Sequence, residues 1–242
     1  MKKTLASASL ALLALTGCSQ QAETNTLVVG TNASFPPFEY IGGQSGTEVI
    51  GFDIDLVKQI AADSGKTLVI EDMKFDSLIV ALNSGKIDMI ASGMTITEER
   101  QKNVNFSDPY YEATQLVITQ QDITFTDSSE LKGKKIAVQL GTTGDAMAKA
   151  FSDQIVAFNT GFEAIMELNN GRVDAVLFDA APALNLIANR PALKATAMEF
   201  EPEFYGFAVN KNNPELLEQI NATLATMKAN GSYDALISKH MQ

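Results

Sequence analysis

Arg100 lies where a cation is unfavourable, and this placement suggests that it binds an anion. The run TITE (95–98) has the form of a capping box, in which Thr95 caps a helix and Glu98 reaches back. The N-terminal end of a helix is positive, which disfavours a cation in its first turns. We therefore expect Arg100 to hold a carboxylate, whose shape its guanidinium fork matches. A surface pairing with Glu98 or Glu99 is the alternative.

A second set of anion donors is predicted in the segment LGTTGDA (140–146), which resembles a tight turn before a helix. The first N–H groups of a helix have no partner within it, so those near Thr143 are available to an anion. The segment lacks the lysine of a Walker A loop and is not GxGxxG. It is therefore a weak phosphate motif but a reasonable pair of N–H donors.

Asp179 supplies the opposite charge. It follows the apolar run AVLF and either caps the helix that starts at Ala180 or binds the ammonium group of a ligand. An anion-binding end that faces an ammonium-binding acid suits an α-amino acid.

The rest of the composition excludes several kinds of chemistry. The 242 residues include one cysteine, Cys18, and one histidine, His240. This excludes a Ser-His-Asp or Cys-His triad and any site built on several histidines or thiolates. The formal net charge of −11 argues against non-specific binding to nucleic acid. We predict neither a metal nor a cofactor.

The first 25 residues are predicted to be a leader and a tether. Residues 1–17 combine a basic start with an apolar run that is too short to span a bilayer. The run LTGC (15–18) resembles a bacterial lipobox, which implies cleavage before Cys18 and lipidation of its thiol. A plain signal peptide is the alternative. Residues 18–25 would be a polar tether.

Strand and helix patterns alternate in the remaining chain. The run TLVVGT is a short apolar strand, residues 53–64 have the apolar period of a helix, and TLVIEDM is a strand. A helix over residues 75–84 and a strand over residues 87–91 follow. This alternation predicts an α/β fold with largely parallel sheets.

An internal repeat predicts two lobes. The segments LNSGKIDMIAS (82–92) and LNNGRVDAVLF (168–178) both have the pattern of a helix end, a glycine, a cation and a short apolar strand. The alternative is that such turns look alike in any α/β protein. With crossings near residues 113 and 204, lobe one comprises residues 26–113 and 205–242, and lobe two residues 114–204. Ligands bind beyond the carboxyl ends of parallel strands, where Ser92, Gly93 and Asp179 would lie.

Six motifs, found in order over nearly the whole chain after residue 25, carry a resemblance to a known family. They are VGTNASFPPFEY, GFDIDL, ASGMTITEER, FSDPYY, LKGKKIAVQLGTT and GRVDAVLFD. Together they resemble the family 3 extracellular solute-binding proteins of ABC importers, which bind polar amino acids such as arginine, lysine, histidine and glutamine. The resemblance implies a two-lobed periplasmic-binding-protein-like fold of type II, with two crossover strands as a hinge that closes over ligand.

The resemblance also assigns roles. Arg100 would bind the α-carboxylate with the N–H groups of Thr95 and Thr143, and Asp179 would bind the α-ammonium with the carbonyl of Gly93. Two phenylalanines would sandwich the ligand side chain, although core packing is the commoner fate of a Phe. Many binders of cationic amino acids have Asp where this chain has Asn32. The predicted ligand-binding set is Asn32, Phe35, Glu39, Phe75, Ser92, Gly93, Met94, Thr95, Arg100, Gln139, Thr142, Thr143 and Asp179.

Within that set Glu39, Gln139 and Ser92 are candidates to meet a distal polar group of the ligand. Asp53 and Asp55 are predicted to be helix-start caps rather than ligand contacts.

The function implied by this resemblance is a lipid-anchored binding component of an ABC importer for arginine or another basic amino acid. Its partners would be a permease with its ATPase, and a monomer is expected. It would be exported to the periplasm or cell surface and held there by lipidated Cys18. Three alternatives are a binder of glutamine or another polar amino acid, a cyclohexadienyl dehydratase-like enzyme on the same scaffold, and a ligand sensor or adhesin. An enzyme is not expected, because few carboxylates are placed in the cleft for proton transfer.

Overall fold

The computed structural model describes residues 25–241, so the predicted leader, the lipidation of Cys18 and the tether before Asn25 lie outside the described part. Its strands, in chain order, are β1 (Thr26–Thr31), β2 (Ser34–Phe35), β3 (Glu39–Gly42), β4 (Glu48–Ile50), β5 (Thr67–Asp72), β6 (Met89–Ile90), β7 (Asn105–Phe106), β8 (Tyr111–Ala113), β9 (Gln115–Gln120), β10 (Lys135–Gln139), β11 (Gln154–Phe158), β12 (Ala175–Asp179), β13 (Leu193–Ala197), β14 (Glu203–Tyr205) and β15 (Ala208–Val209). Its α-helices are α1 (Phe52–Asp63), α2 (Leu78–Asn83), α3 (Glu98–Gln101), α4 (Thr143–Phe151), α5 (Gly161–Asn169), α6 (Ala180–Ile187), α7 (Pro214–Asn230) and α8 (Ser232–His240). Short 3-10 turns occupy Phe75–Ser77 and Ser128–Leu131, so the helix predicted over residues 75–84 begins as a 3-10 turn. None of the helices from residue 25 to residue 241 is long and apolar enough to cross a bilayer.

Two five-stranded sheets have equivalent strand orders, β5-β1-β6-β15-β7 and β11-β10-β12-β9-β13. In each, the first three strands pair in parallel and the fourth pairs antiparallel with its neighbours. Four of the five strands in each sheet therefore run in one direction, as the prediction of largely parallel sheets requires. Strands β9 and β15 run the opposite way because each enters its sheet from the other lobe, at the edge where the parallel strands end.

Two antiparallel crossover strands join the lobes. In this hinge, β8 pairs with β14 through the register Glu203–Ala113, Phe204–Glu112 and Tyr205–Tyr111. The sheets and this hinge confirm the predicted two-lobed α/β fold with two crossover strands.

The internal repeat marks equivalent places in the two sheets. One copy runs from the end of α2 into β6, and the other from the end of α5 into β12. Gly85 (φ 75°) and Gly171 (φ 68°) both adopt the left-handed conformation that ends a helix. The following N–H groups, of Lys86 and Arg172, each donate 3.0 Å hydrogen bonds back to the carbonyls of Ala81 and Glu167. The repeated pattern thus encodes the same helix stop before the same strand in both lobes.

An aromatic cluster packs beneath the cleft, where the lobes join. The Phe38 ring lies 4.8 Å from Tyr111 and 5.2 Å from Tyr205, centroid to centroid, and Tyr111 stacks on Tyr205 at 5.6 Å. Phe35 meets Phe178 of the other lobe edge to face at 5.4 Å. Each such pair stabilises the fold by about 0.5–1.5 kcal/mol beyond the effect of its burial. The cluster therefore supports the residues of the site from below.

Candidate functional site

One cavity between the lobes, at the carboxyl ends of the parallel strands, brings together twelve of the thirteen predicted ligand-binding residues. These residues are Asn32, Phe35, Glu39, Phe75, Ser92, Gly93, Thr95, Arg100, Gln139, Thr142, Thr143 and Asp179. The space between its lining residues measures about 290 Å³, including the part that is open to solvent. The cavity is narrow because side chains from both lobes meet directly across it.

Met94 does not line this cavity, which corrects the prediction. Its side chain is 1 % exposed and packs in the apolar core of lobe one with Phe75, Leu78 and Ile90. Its carbonyl accepts a 3.1 Å hydrogen bond from the N–H of Gly206. The neighbouring Thr95 pairs with Tyr205 and lines the cavity, whereas the side chain of Met94 points away from the cleft.

The start of the helix that carries Arg100 also differs from the prediction. Helix α3 is capped by Thr97, whose Oγ1 accepts a 3.2 Å hydrogen bond from the N–H of Arg100. The predicted capping box between Thr95 and Glu98 is wrong because Thr95 forms an antiparallel bridge with Tyr205 and is held extended.

Arg100 has the surroundings of an anion-binding group. Its Nη1 donates to the carbonyl of Thr95 at 2.7 Å, and its Nη2 donates to the carbonyl of Gly141 in lobe two at 3.0 Å. The guanidinium lies 5.2 Å from the ring centre of Phe75. Among the described residues it makes no ion pair, so the alternative of a salt bridge with Glu98 or Glu99 is not observed. Burial lowers the pKa of Arg100, an effect that the charge of Glu203 opposes.

Backbone N–H groups surround the same place. Flanking hydrogen bonds from Ile96 to Phe204 and from Gly206 to Met94 make the Thr95 bridge a pair without mutual hydrogen bonds. The N–H of Thr95 therefore points away from the partner strand. Thr143 is the first residue of α4, where N–H groups have no partner in the helix.

Asp179 forms the acidic pole of the cavity. It precedes α6, but its side chain makes no capping hydrogen bond. Its Oδ1 instead accepts a 2.6 Å hydrogen bond from the hydroxyl of Tyr205. The pKa of Asp179 is raised to about 7, mainly by burial and secondly by the charge of Glu203. A cation beside this carboxylate would favour its ionised form.

Glu39 is a buried carboxylate at the side of the cavity. Its Oε1 accepts a 3.1 Å hydrogen bond from Ser92 Oγ, whereas its Oε2 accepts none among the described residues, and the carboxyl group interacts with that of Asp53. Burial, followed by the charge of Asp53, holds the pKa of Glu39 well above its ordinary value. A buried acid with an unsatisfied oxygen is suited to a cationic hydrogen-bond donor.

Asp53 supports this part of the site, and the prediction that it caps a helix is wrong. Its Oδ2 accepts hydrogen bonds from the N–H of Gly93 at 3.0 Å and from the hydroxyl of Tyr110 at 2.6 Å. Burial raises the pKa of Asp53 to about 6. Asp55 is not a cap either, since helix α1 has no side-chain cap and Asp55 pairs with Lys58 and Lys239.

Polar side chains from the two lobes meet at Asn32 and Gln139. The Nε2 of Gln139 donates to Oδ1 of Asn32 at 2.9 Å, and the Nδ2 of Asn32 donates to the carbonyl of Met73. Thr142 contributes a helix cap, since its Oγ1 accepts from the N–H of Asp145 at 3.2 Å. Asn32 is therefore placed to meet a ligand only if Gln139 moves.

The ring of Phe35 leaves no room for a side chain at Gly93. A Cβ added to Gly93 would lie 2.5 Å from the Phe35 ring, and Gly93 has φ +48°. Phe35 and Phe75 are both buried and both line the cavity, so they belong to the core and to the site at once.

Sequence reasoning missed Glu203, which reaches the site from the hinge strand β14. Its Oε2 accepts hydrogen bonds from Thr143 Oγ1 at 2.9 Å, Gln115 Nε2 at 3.1 Å and Thr95 Oγ1 at 3.2 Å. Glu203 and Tyr205 are two residues apart on one strand, so their side chains lie on the same face. That spacing was the available signal, but the run EFEPEF contains three glutamates, and nothing local distinguishes one from another.

The fold and the site together define a two-lobed solute-binding protein. The chain belongs to the bacterial extracellular solute-binding proteins, family 3, which it matches over residues 27–242.

Individual relatives share most of their length with this chain. It is 36 % identical to the ABC transporter arginine-binding protein 1 of Escherichia coli (strain K12), over 98 % of this chain and 97 % of the relative. It is 37 % identical to a probable histidine-binding protein of Campylobacter jejuni, over 92 % and 88 %.

Solved structures agree with these relatives. The arginine-bound form of a truncated ArgBP from T. maritima superposes with a TM-score of 0.80 at 44 % identity, over 84 % of this chain and 96 % of that one. An ancestral amino-acid-binding protein described as a precursor of cyclohexadienyl dehydratase superposes with a TM-score of 0.83 at 39 % identity, over 90 % and 96 %. By name, these four proteins are binding proteins rather than enzymes.

Proposed function

We propose that this protein is the lipid-anchored binding component of an ABC importer for a basic amino acid, with arginine as the first candidate. The observation that carries the choice is the excess of buried acids around the cavity. Arg100 is the one cation among the lining residues, whereas Glu39 and Asp179 line the cavity and buried Asp53 lies directly behind it.

The excess of acids matches a ligand of net positive charge. The α-carboxylate would lie against Arg100 and the N–H groups of Thr95 and Thr143, and the α-ammonium would lie against Asp179. A guanidinium at the far end of the side chain would donate to Glu39 Oε2, which accepts no hydrogen bond among the described residues, and would favour the ionised form of this acid. A neutral glutamine would satisfy the first two poles and give Glu39 no cation to pair with.

Closure would accompany binding. The cavity is narrow because Arg100 reaches the carbonyl of Gly141 and Gln139 reaches Asn32. A ligand would enter when the lobes are apart, and on closure Arg100 and Gln139 would contact the ligand in place of these partners. Ligand-dependent closure would then present a docking surface to a permease and its ATPase.

The test is a thermal-shift screen of the twenty amino acids, followed by calorimetry on those that stabilise the protein. We expect arginine to give the largest shift and a micromolar or lower Kd, which corresponds to about 8 kcal/mol or more. Lysine and histidine should follow, and glutamine should bind more weakly. A larger shift with glutamine than with every basic amino acid would refute the proposed ligand class.

Two further features belong to the proposal. Lobe one would comprise residues 26–113 and 205–242 and lobe two residues 114–204, in keeping with the membership of the two sheets. Cys18 would be the lipidated first residue of the mature protein, followed by a tether over residues 18–25. Mass spectrometry of the mature N-terminus should find an acylated cysteine, and an unmodified N-terminus at another residue would contradict the anchor.

A further inference from the structure

We propose that Glu203 is a latch, which here means a positioning residue of the hinge that favours the closed arrangement of the two lobes in the absence of ligand. The proposal rests on the proposed function for its effect on affinity, but not for its effect on the shape of the protein.

One oxygen atom of Glu203 joins both lobes. Glu203 Oε2 accepts from Thr95 Oγ1, which precedes α3 in lobe one, and from Thr143 Oγ1, which begins α4 in lobe two. A third donor, Gln115 Nε2, comes from the strand that leaves the hinge. Lobe opening moves Thr95 and Thr143 apart, so at least one of these hydrogen bonds must break.

Glu203 has no competing ion pair among the described residues. No Lys, Arg or His nitrogen there lies within salt-bridge distance of its carboxylate. Hydrogen bonds to a charged acceptor are roughly twice as strong as neutral ones, so a carboxylate with three neutral donors is a strong junction.

Thr95 and Thr143 connect the latch with the ligand site. Thr95 and Thr143 give their hydroxyls to Glu203, which leaves their backbone N–H groups for the ligand carboxylate. The same two residues would therefore serve the latch with one group and the ligand with another. A latch that raises the population of the closed form raises the affinity of every ligand of that form by one common factor.

The experiment compares Glu203→Gln with a matched control, Glu201→Gln, in the full chain. Both substitutions remove one negative charge from the same segment, and Glu201 is exposed. The first readout is the radius of gyration from small-angle X-ray scattering without added amino acid. We expect a larger radius for Glu203→Gln than for the wild type or Glu201→Gln.

The second readout is the Kd for arginine and for its neutral isostere citrulline. We expect Glu203→Gln to weaken both by the same factor, about tenfold, and Glu201→Gln to change neither. Thr143→Val should reproduce the loss, and the double variant Glu203→Gln/Thr143→Val should lose less than the product of the two single effects.

Two results would overturn the latch. One is an unchanged radius of gyration in Glu203→Gln. The other is a loss of affinity confined to arginine, which would make Glu203 a direct contact of the ligand side chain. If the wild type binds no amino acid, the proposed function fails, while the comparison of the two radii still decides on the latch.

Discussion

Replacing Glu39 by Gln should remove the preference for a cationic side chain and leave the rest of the site intact. Glutamine has nearly the same size and keeps an oxygen that can accept the hydrogen bond from Ser92 Oγ. The substitution therefore removes the charge and leaves the cavity shape. Arginine and citrulline are the appropriate pair of ligands, because they differ mainly in the charge of the terminal group.

The size of the effect follows from the surroundings of Glu39. The carboxylate is fully buried, and hydrogen bonds to charged groups contribute about 1.5–3 kcal/mol. Part of this gain is offset, because burial and the charge of Asp53 raise the pKa of Glu39 and the group must be ionised to meet a guanidinium. We expect the ratio of citrulline Kd to arginine Kd to fall by about 10- to 100-fold in Glu39→Gln.

Isothermal titration calorimetry measures both affinities, and pH distinguishes the cause. Arginine should release protons on binding to the wild type, because a cation beside Glu39 and Asp53 lowers their pKa values. The heat should then depend on the ionisation enthalpy of the buffer, and this dependence should be weaker with citrulline. An unchanged affinity ratio in Glu39→Gln would show that the ligand side chain does not meet this acid, and the reasoning about charge excess would be refuted.

Three other predictions concern the two charged poles of the cavity, the glycine at position 93 and the pH dependence of stability. Arg100→Ala and Asp179→Ala should each weaken arginine binding at least 100-fold by calorimetry, since each removes one buried charge partner (about 3–5 kcal/mol); retained tight binding in both would contradict the site. Gly93→Ala should lower the free energy of unfolding by about 1–3 kcal/mol in urea titrations, because its Cβ would meet the Phe35 ring and its φ is positive; an unchanged midpoint would contradict this. Asp53 and Asp179 have pKa values raised to about 6 and about 7, so the folded state holds their protons more tightly than the unfolded state. Their contribution to stability is therefore fully present below about pH 4 and is lost as pH rises through 6 to 7. The urea midpoint of the protein without added amino acid should fall between pH 5 and pH 8, and by less in Asp179→Asn; an equal fall in that variant would show that other groups are responsible.

Local patterns predicted the two lobes and the charged poles of the candidate site, and the family resemblance supplied most of the other site residues. The paired helix stops at Gly85 and Gly171 depend on residues close in sequence, and so does the position of Asp179 at the end of an apolar strand. Parallel strands end at one edge of a sheet, which is why residues far apart in the chain could be placed in one cleft.

The errors arose where distant contacts override local preference. Thr95 has the local form of a helix cap, but its pairing with Tyr205, 110 residues later, keeps it extended. Asp53 sits in the first turn of a helix, yet its partners Gly93 and Tyr110 lie 40 and 57 residues away. Glu203 is 60 residues from Thr143 and 108 from Thr95, and neither separation leaves a trace in the neighbouring sequence.

The position of β15 in its sheet has a consequence for biosynthesis. This strand lies between β6 and β7, although it is made about 100 residues after β7. The sheet that contains β1 therefore stays incomplete until nearly the whole polypeptide has left the ribosome. The other sheet uses only contiguous chain, from Gln115 to Ala197, and has all its strands much earlier. Lobe one should therefore complete its fold later in synthesis than lobe two.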